Sequence, residues 1–450
     1  MRGAVGRVRT CAVGTGRGRR PAVRGRSGVR AWLDGEAVPS RDAEPVFNRA
    51  AIDTYVPIVL AYHAPAPSNE ALKEGLLRAV APYPHLLGRF AVDARGRRFL
   101  HLNNEGLLII EASVPVDLAD VLAAGGGMTT DVADLYPTVP EESVGAALLQ
   151  VKFSRYRCGG LLIGVICHHH IADGNSASTF YTMWAKSGKG FSVPAPFLHR
   201  AATAVPRSTP KPAFDHRSIE FKGGEDVSDS SKSYDVLPMD KIKNLTVHFP
   251  AEFIAELKAR VGTRCSTFQC LLAHVWKKIT VARELKPEEF TQVRVAVNCR
   301  GRASPPVPMD FFGNMVLWAF PRLQVRDLLR WSYGGVVGAI RDAAARIDEE
   351  YIQSYVDFGG VADANGEELQ ATSTFGTMLC PDVPRARLWL FGTGPPSAFV
   401  PPGLPVEGLM VFVPSRTAMG SVDLFMAVAE DHVAAFERIC YSLDHLPARL

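Results

Sequence analysis

The segment Leu161-Leu162-Ile163-Gly164-Val165-Ile166-Cys167 carries no polar side chain and runs straight into His168-His169-His170. A strand with one wet face alternates polar and apolar residues. This one does not, so it predicts a strand covered on both faces within a layered α/β fold. Asp173-Gly174 then predicts a sharp turn anchored by the carboxylate, and residues 175–186 read as a helix. The histidines sit where a buried strand ends and a helix begins, constrained from both sides, which is the fixity that catalytic groups need. An imidazole, with an ordinary pKa of about 6.5, is a suitable general base at neutral pH.

Other readings of the tract compete. A metal site is disfavoured, because successive residues of an extended chain point to opposite sides and no second His/Cys cluster has ligand spacing. A Ser-His-Asp hydrolase lacks its GxSxG elbow. A structural histidine cluster capping the sheet stays open beside the catalytic base.

The length, 450 residues, predicts two or three domains. Net charge is +4, yet residues 1–31 hold nine arginines and no acid, so the remainder is slightly acidic. That argues against nucleic acid as a partner and for a small-molecule or CoA substrate. The Arg/Gly-rich residues 1–44 are expected to be a disordered tail, an organellar transit peptide or an artefact of the gene model. The eight cysteines form no CxxC pair and read as free thiols of a reducing compartment, hence a cytoplasmic protein. No apolar run of about 18 residues is present, so no membrane span is expected.

Along the chain, 68–80 reads as a helix capped by Ser68 or Asn69, followed by strands at 98–102, 107–111 and 146–153. Proline-rich, Ser-rich residues 191–240 predict a crossover between an N-terminal domain, 45–190, and a C-terminal domain, 241–450. In the second half, helices are expected at 251–261 and from Ser266, whose spacing to Gln269 is a capping box. A strand at 293–297, one long helix over 325–350, strands at 408–413 and 421–428 and a helix from Glu430 to Leu443 complete the reading. Lys277-Lys278 reads as a solvated helix face, with contact to CoA phosphates as the alternative.

The HHxxxDG pattern at the end of an apolar strand resembles the plant BAHD acyltransferase family and the wider chloramphenicol acetyltransferase-like group, which includes peptide-synthetase condensation domains. Leu86-Leu87-Gly88-Arg89-Phe90, Ser266–Trp276, Asn298-Cys299-Arg300 and Phe311-Phe312-Gly313-Asn314 resemble further BAHD segments. Phe391-Gly392-Thr393-Gly394 stands where the family carries its DFGWG-type motif. The resemblance covers residues 45–450.

It implies two chloramphenicol acetyltransferase-like domains, each a mixed sheet flanked by helices, with a channel between them. It implies His169 as the base that deprotonates the acceptor, and CoA as leaving group of an acyl-CoA substrate, with no cofactor and no metal. Asp173, with Gly174, would support the loop structurally by facing Arg300. The family's aspartate before Phe391 is replaced by Leu390, which keeps a catalytically degenerate paralogue among the readings. Residues 351–358, 392–399 and 413–418 resemble the grass amine N-acyltransferases, which join hydroxycinnamoyl- or benzoyl-CoA to tryptamine, tyramine, agmatine or putrescine. The expectation is a monomeric enzyme acylating such an amine, with an alcohol acceptor of the shikimate, quinate or anthocyanin type as the alternative.

Overall fold

A computed structural model of the chain describes residues 8–13, 40–42, 46–94, 96–123, 132–199, 203–221, 237–367, 369, 395–400, 403–415 and 418–443. The apolar run forms the strand Leu161–His168, buried at every position. It lies fourth in a six-stranded sheet, ordered Val8–Val13, Leu107–Val114, Leu149–Tyr156, Leu161–His168, Tyr55–Tyr62, Ala398–Val400. The Leu107–Val114 and Leu149–Tyr156 strands are parallel and the other pairings antiparallel, so the sheet is mixed.

Both faces of the central strand are covered, as its composition requires. Leu161, Ile163, Val165 and Cys167 enter one apolar cluster with Leu72, Leu76 and Trp184. Leu162 enters another on the opposite face with Val59, Leu118 and Leu135. Gly164 is needed there, because a Cβ at that position would lie 2.2 Å from the carbonyl oxygen of Leu135.

Both edge strands of this sheet come from distant parts of the chain. The Arg-rich tail is not without structure throughout: Val8–Val13 pairs antiparallel with Leu107–Val114, and Ser40–Asp42 pairs with Arg98–Leu102. The unpaired backbone edge of Leu107–Val114 explains the first pairing, since edge groups seek a partner strand. At the other edge, Ala398–Val400 comes from the C-terminal half, so the two halves exchange chain.

The second half is built around the helix Thr267–Ala282, whose start carries the predicted capping box between Ser266 and Gln269. Its three-stranded sheet, Met410–Pro414, Val422–Ala429 and Ile242–Phe249, is antiparallel; mixed pairing belongs to the first sheet. The single long helix expected over 325–350 is three: Val325–Arg330, Tyr333–Ala345 and Glu349–Ala364. Ser332 and Asp348 cause the restarts, because their side chains accept from the amides of Gly335 and Tyr351 and cap new helices.

Asp357, in Glu349–Ala364, anchors the crossover by accepting from the Arg207 amide at 2.9 Å and its guanidinium at 3.1 Å. The short helix Val46–Arg49 also docks on this half. Val46 and Phe47 belong to its core, and the Tyr355 hydroxyl donates to the Val46 carbonyl at 3.2 Å.

Lys277 and Lys278 are buried, which corrects the solvated-face reading. The ammonium of Lys277 donates to the carbonyls of Leu328, Leu329 and Trp331, satisfying the C-terminal end of Val325–Arg330. Burial and the neighbouring charge of Lys278 pull its pKa down to about 8.

Candidate active site

The histidine tract leaves the sheet at His168, and each of the three rings meets a different environment. His168 is buried, and its Nε2 lies 3.2 Å from Oδ1 of Asp53. Its Nδ1 accepts from the amide of His170 at 3.2 Å, so the ring proton sits on Nε2 and is donated to Asp53. Burial pulls the pKa of His168 down to about 4, against the opposing pull of Asp53. Asp53 is held far below the usual carboxylate range by that hydrogen bond and by Arg98, whose guanidinium reaches both of its oxygens at 2.8 Å.

His170 is tied on both nitrogens. Arg98, which can only donate, bonds to Nδ1, and Nε2 donates to the Ala51 carbonyl at 3.1 Å. The two flanking rings are thereby spent on structure.

His169 differs. Its backbone is fixed: the amide donates to Thr54 at 2.9 Å, and the carbonyl accepts from Asn314 Nδ2 at 2.8 Å. The ring is only half-buried. Its Nδ1 is sequestered and makes no well-formed hydrogen bond among the described residues, which leaves Nε2 as the candidate base nitrogen. Burial lowers the pKa of His169, opposed by its own backbone, the Asp173 charge and the Asn314 side chain. A lowered pKa keeps the imidazole unprotonated, and therefore basic, at neutral pH.

Asp173 faces away from that ring. It caps the helix Gly174–Ser187 through a 2.9 Å bond from the Ser176 amide, so the turn expected at Asp173-Gly174 is a helix start, with Gly174 as its first residue. Arg300 donates to both of its oxygens, at 2.8 and 3.0 Å, and the Met315 amide donates at 2.9 Å. Arg300, fully buried, also reaches Ser176 Oγ and the carbonyls of Phe311 and Gly313. This network binds the histidine loop of the first half to the Arg300–Met315 loop of the second. Buried pairs of this kind are costly to break from one side.

His169, Asp173, Gly174 and Arg300 are thus brought together. The motif positions Leu390, Phe391, Gly392, Thr393 and Gly394 lie outside the described residues. Sequence reading missed Asn48, Asp53, Arg98 and Ser176, and named Asn314 only as part of a motif. The Phe311–Asn314 phrase was a usable signal for Asn314. Nothing local marks the others, which are brought in by strand pairing and helix docking. Among the described residues no group of three or more His, Cys, Asp and Glu is placed to hold a metal ion, and no helix is long and apolar enough to cross a membrane. Cys158, Cys167, Cys265, Cys270, Cys299 and Cys440 are free thiols.

The family described as the Transferase family matches residues 49–443. The chain belongs to this family, the BAHD acyltransferases. Rice tryptamine benzoyltransferase 1 (Oryza sativa subsp. japonica) is 59% identical over 428 residues, covering 92% of this chain and 94% of the relative. Tryptamine hydroxycinnamoyltransferase 2 from the same plant is 57% identical, covering 89% and 93%. Its agmatine hydroxycinnamoyltransferase 1 is more distant, at 36% identity over 92% of this chain and 96% of that one. Among solved structures, vinorine synthase shares the fold at a TM-score of 0.62 and 20% identity, over 89% of this chain and 93% of that one. Asp173 pairs with Arg300 in this structure, the contact that the resemblance implied for it.

Proposed function

We propose that this BAHD member transfers an aromatic acyl group, benzoyl or hydroxycinnamoyl, from CoA to an arylalkylamine such as tryptamine, with His169 as general base. The observation that carries the reading is the contrast within the tract. His168 and His170 have both nitrogens engaged, whereas His169, on a fixed backbone, leaves Nε2 as the candidate base nitrogen. The arylalkylamine acceptor is supported by the relatives, which at 57–59% identity are named for tryptamine and at 36% for agmatine.

The chemistry follows from the thioester. The lone pair of the neutral amine attacks the acyl carbon, giving a tetrahedral intermediate with an ammonium nitrogen and an oxyanion. Nε2 of His169 takes the ammonium proton. The intermediate collapses, the carbon–sulfur bond breaks, and the imidazolium returns the proton to the departing CoA thiolate. The products are an amide and free CoA, and His169 is regenerated. No cofactor enters this balance.

The enzyme in this proposal is a cytoplasmic monomer of two domains, 45–190 and 241–450, joined through 191–240. The free thiols and the two separate large cores support it, as does a site assembled from residues of one chain.

The test is thiol release from benzoyl-CoA and p-coumaroyl-CoA with tryptamine, tyramine, agmatine, putrescine and shikimate. Release that requires tryptamine or tyramine is the expected result. Release with shikimate alone would replace the amine by an alcohol acceptor. A folded protein that is silent throughout would return the degenerate-paralogue reading that Leu390 raised.

A further inference from the structure

Asp173, the carboxylate of the motif, does not hydrogen-bond the His169 ring: it spends both oxygens on Arg300, Ser176 and Met315. Another group has to steady that ring. Asn314 Nδ2 donates to the His169 carbonyl at 2.8 Å and to Asn48 Oδ1 at 3.2 Å; the Asn314 amide also points at Asn48 Oδ1, at 3.4 Å. Two donors converging on one oxygen fix which way the Asn48 amide faces. The cost is visible: Nδ2 of Asn48 is buried with no hydrogen-bond partner, a penalty of about 1–3 kcal/mol for such a group. A side chain only 2% exposed that gives up one of its own hydrogen bonds to hold Asn314 is placed for that purpose.

The anchor reaches further. Asn48 ends no flexible tail, because the helix carrying it is docked by Val46 and Phe47 in the core of the second half. Gly359 makes that docking possible, since a Cβ there would lie 2.6 Å from Val46 Cβ.

We propose that Asn314, held by Asn48, is the positioning residue of the site: it pins the His169 backbone through its carbonyl and so holds the ring that carries Nε2. This rests on His169 being the base. The groups that act on the His169 ring are Asp173, His170, Asn314 and its own backbone, together with burial; Asn314 and Asp173 favour the protonated form, and His170 disfavours it. Removing the Asn314 amide therefore lowers the pKa of His169, and placing a charge at that position raises it.

The experiment is an NMR titration of 13C-labelled histidine in the full-length protein, with His169 assigned by its loss in His169→Gln. Asn314→Ala, Asn314→Asp and Asn48→Ala are compared with wild type, alongside kcat at saturating acceptor. The expected result has opposite signs: the His169 pKa moves down in Asn314→Ala and up in Asn314→Asp. Asn48→Ala moves it in the same direction as Asn314→Ala, by less. In Asn314→Ala, kcat drops about 10- to 100-fold with KM little changed, the scale of a misaimed catalytic group. An unmoved His169 pKa in both Asn314 variants would overturn the proposal, whatever happens to the rate. Should Asn314→Ala fail to fold, Asn314→Asp and Asn48→Ala still decide it by their signs. Full activity in His169→Gln would overturn the base assignment instead, and the titration would remain readable.

Discussion

His168-His169-His170 and Lys277-Lys278 are both runs of ionisable side chains entering apolar surroundings, and they end differently. Lys277 points its ammonium at three backbone carbonyls left over at a helix end, and nothing of it remains for a ligand. In the histidine tract, two rings are consumed in the same way and the third is not. Both regions carry lowered pKa values through burial, so a shifted pKa does not separate a site from a scaffold. The separating feature is an atom that stays available while its backbone is immobilised on both sides.

Asp173 and Arg300 belong with the lysine as scaffold, although they lie beside His169. Arg300→Met strands the Asp173 carboxylate, and a loss of about 3–5 kcal/mol in urea unfolding is expected. At a temperature where that variant stays folded, its kcat falls far less than that of His169→Ala. A collapse of kcat in a fully folded Arg300→Met would move this pair into the chemistry.

A smaller effect is expected on the other side. Lys277→Met removes charge-assisted bonds to the end of Val325–Arg330 and costs about 1.5–3 kcal/mol of stability. Thiol release per folded molecule stays at the wild-type level. A rate defect in that variant, relieved by high CoA thioester, would mean that the ammonium reaches substrate after all.

How much of this was legible beforehand depends on the range of the interaction. The strand Leu161–His168, its two covered faces and the caps at Ser68 and Ser266 rest on local pattern, and all are found. The breaks at Ser332 and Asp348 were also local, but the apolar periodicity running through them concealed two good cap residues. Lys277 was misread because a lysine pair on a helix is usually wet, and only the docking of Val325–Arg330 shows otherwise. Arg300 with Asp173 came from family resemblance. Asn48, Asp53 and Arg98 could come from neither source, since Asp53 and Arg98 meet the histidines, and Asn48 meets Asn314, only after distant segments pack: Asn48 lies 266 residues from Asn314.

The central claim is that one imidazole, that of His169, takes the proton from the acceptor. Its most direct test is the initial rate of thiol release from benzoyl- or p-coumaroyl-CoA with saturating tryptamine, in wild type and His169→Ala, with the Tm of each recorded. The account predicts a loss of about 10²-fold or more, the scale of general-base catalysis, at an unchanged Tm. A His169→Ala protein that turns over at near the wild-type rate would contradict it.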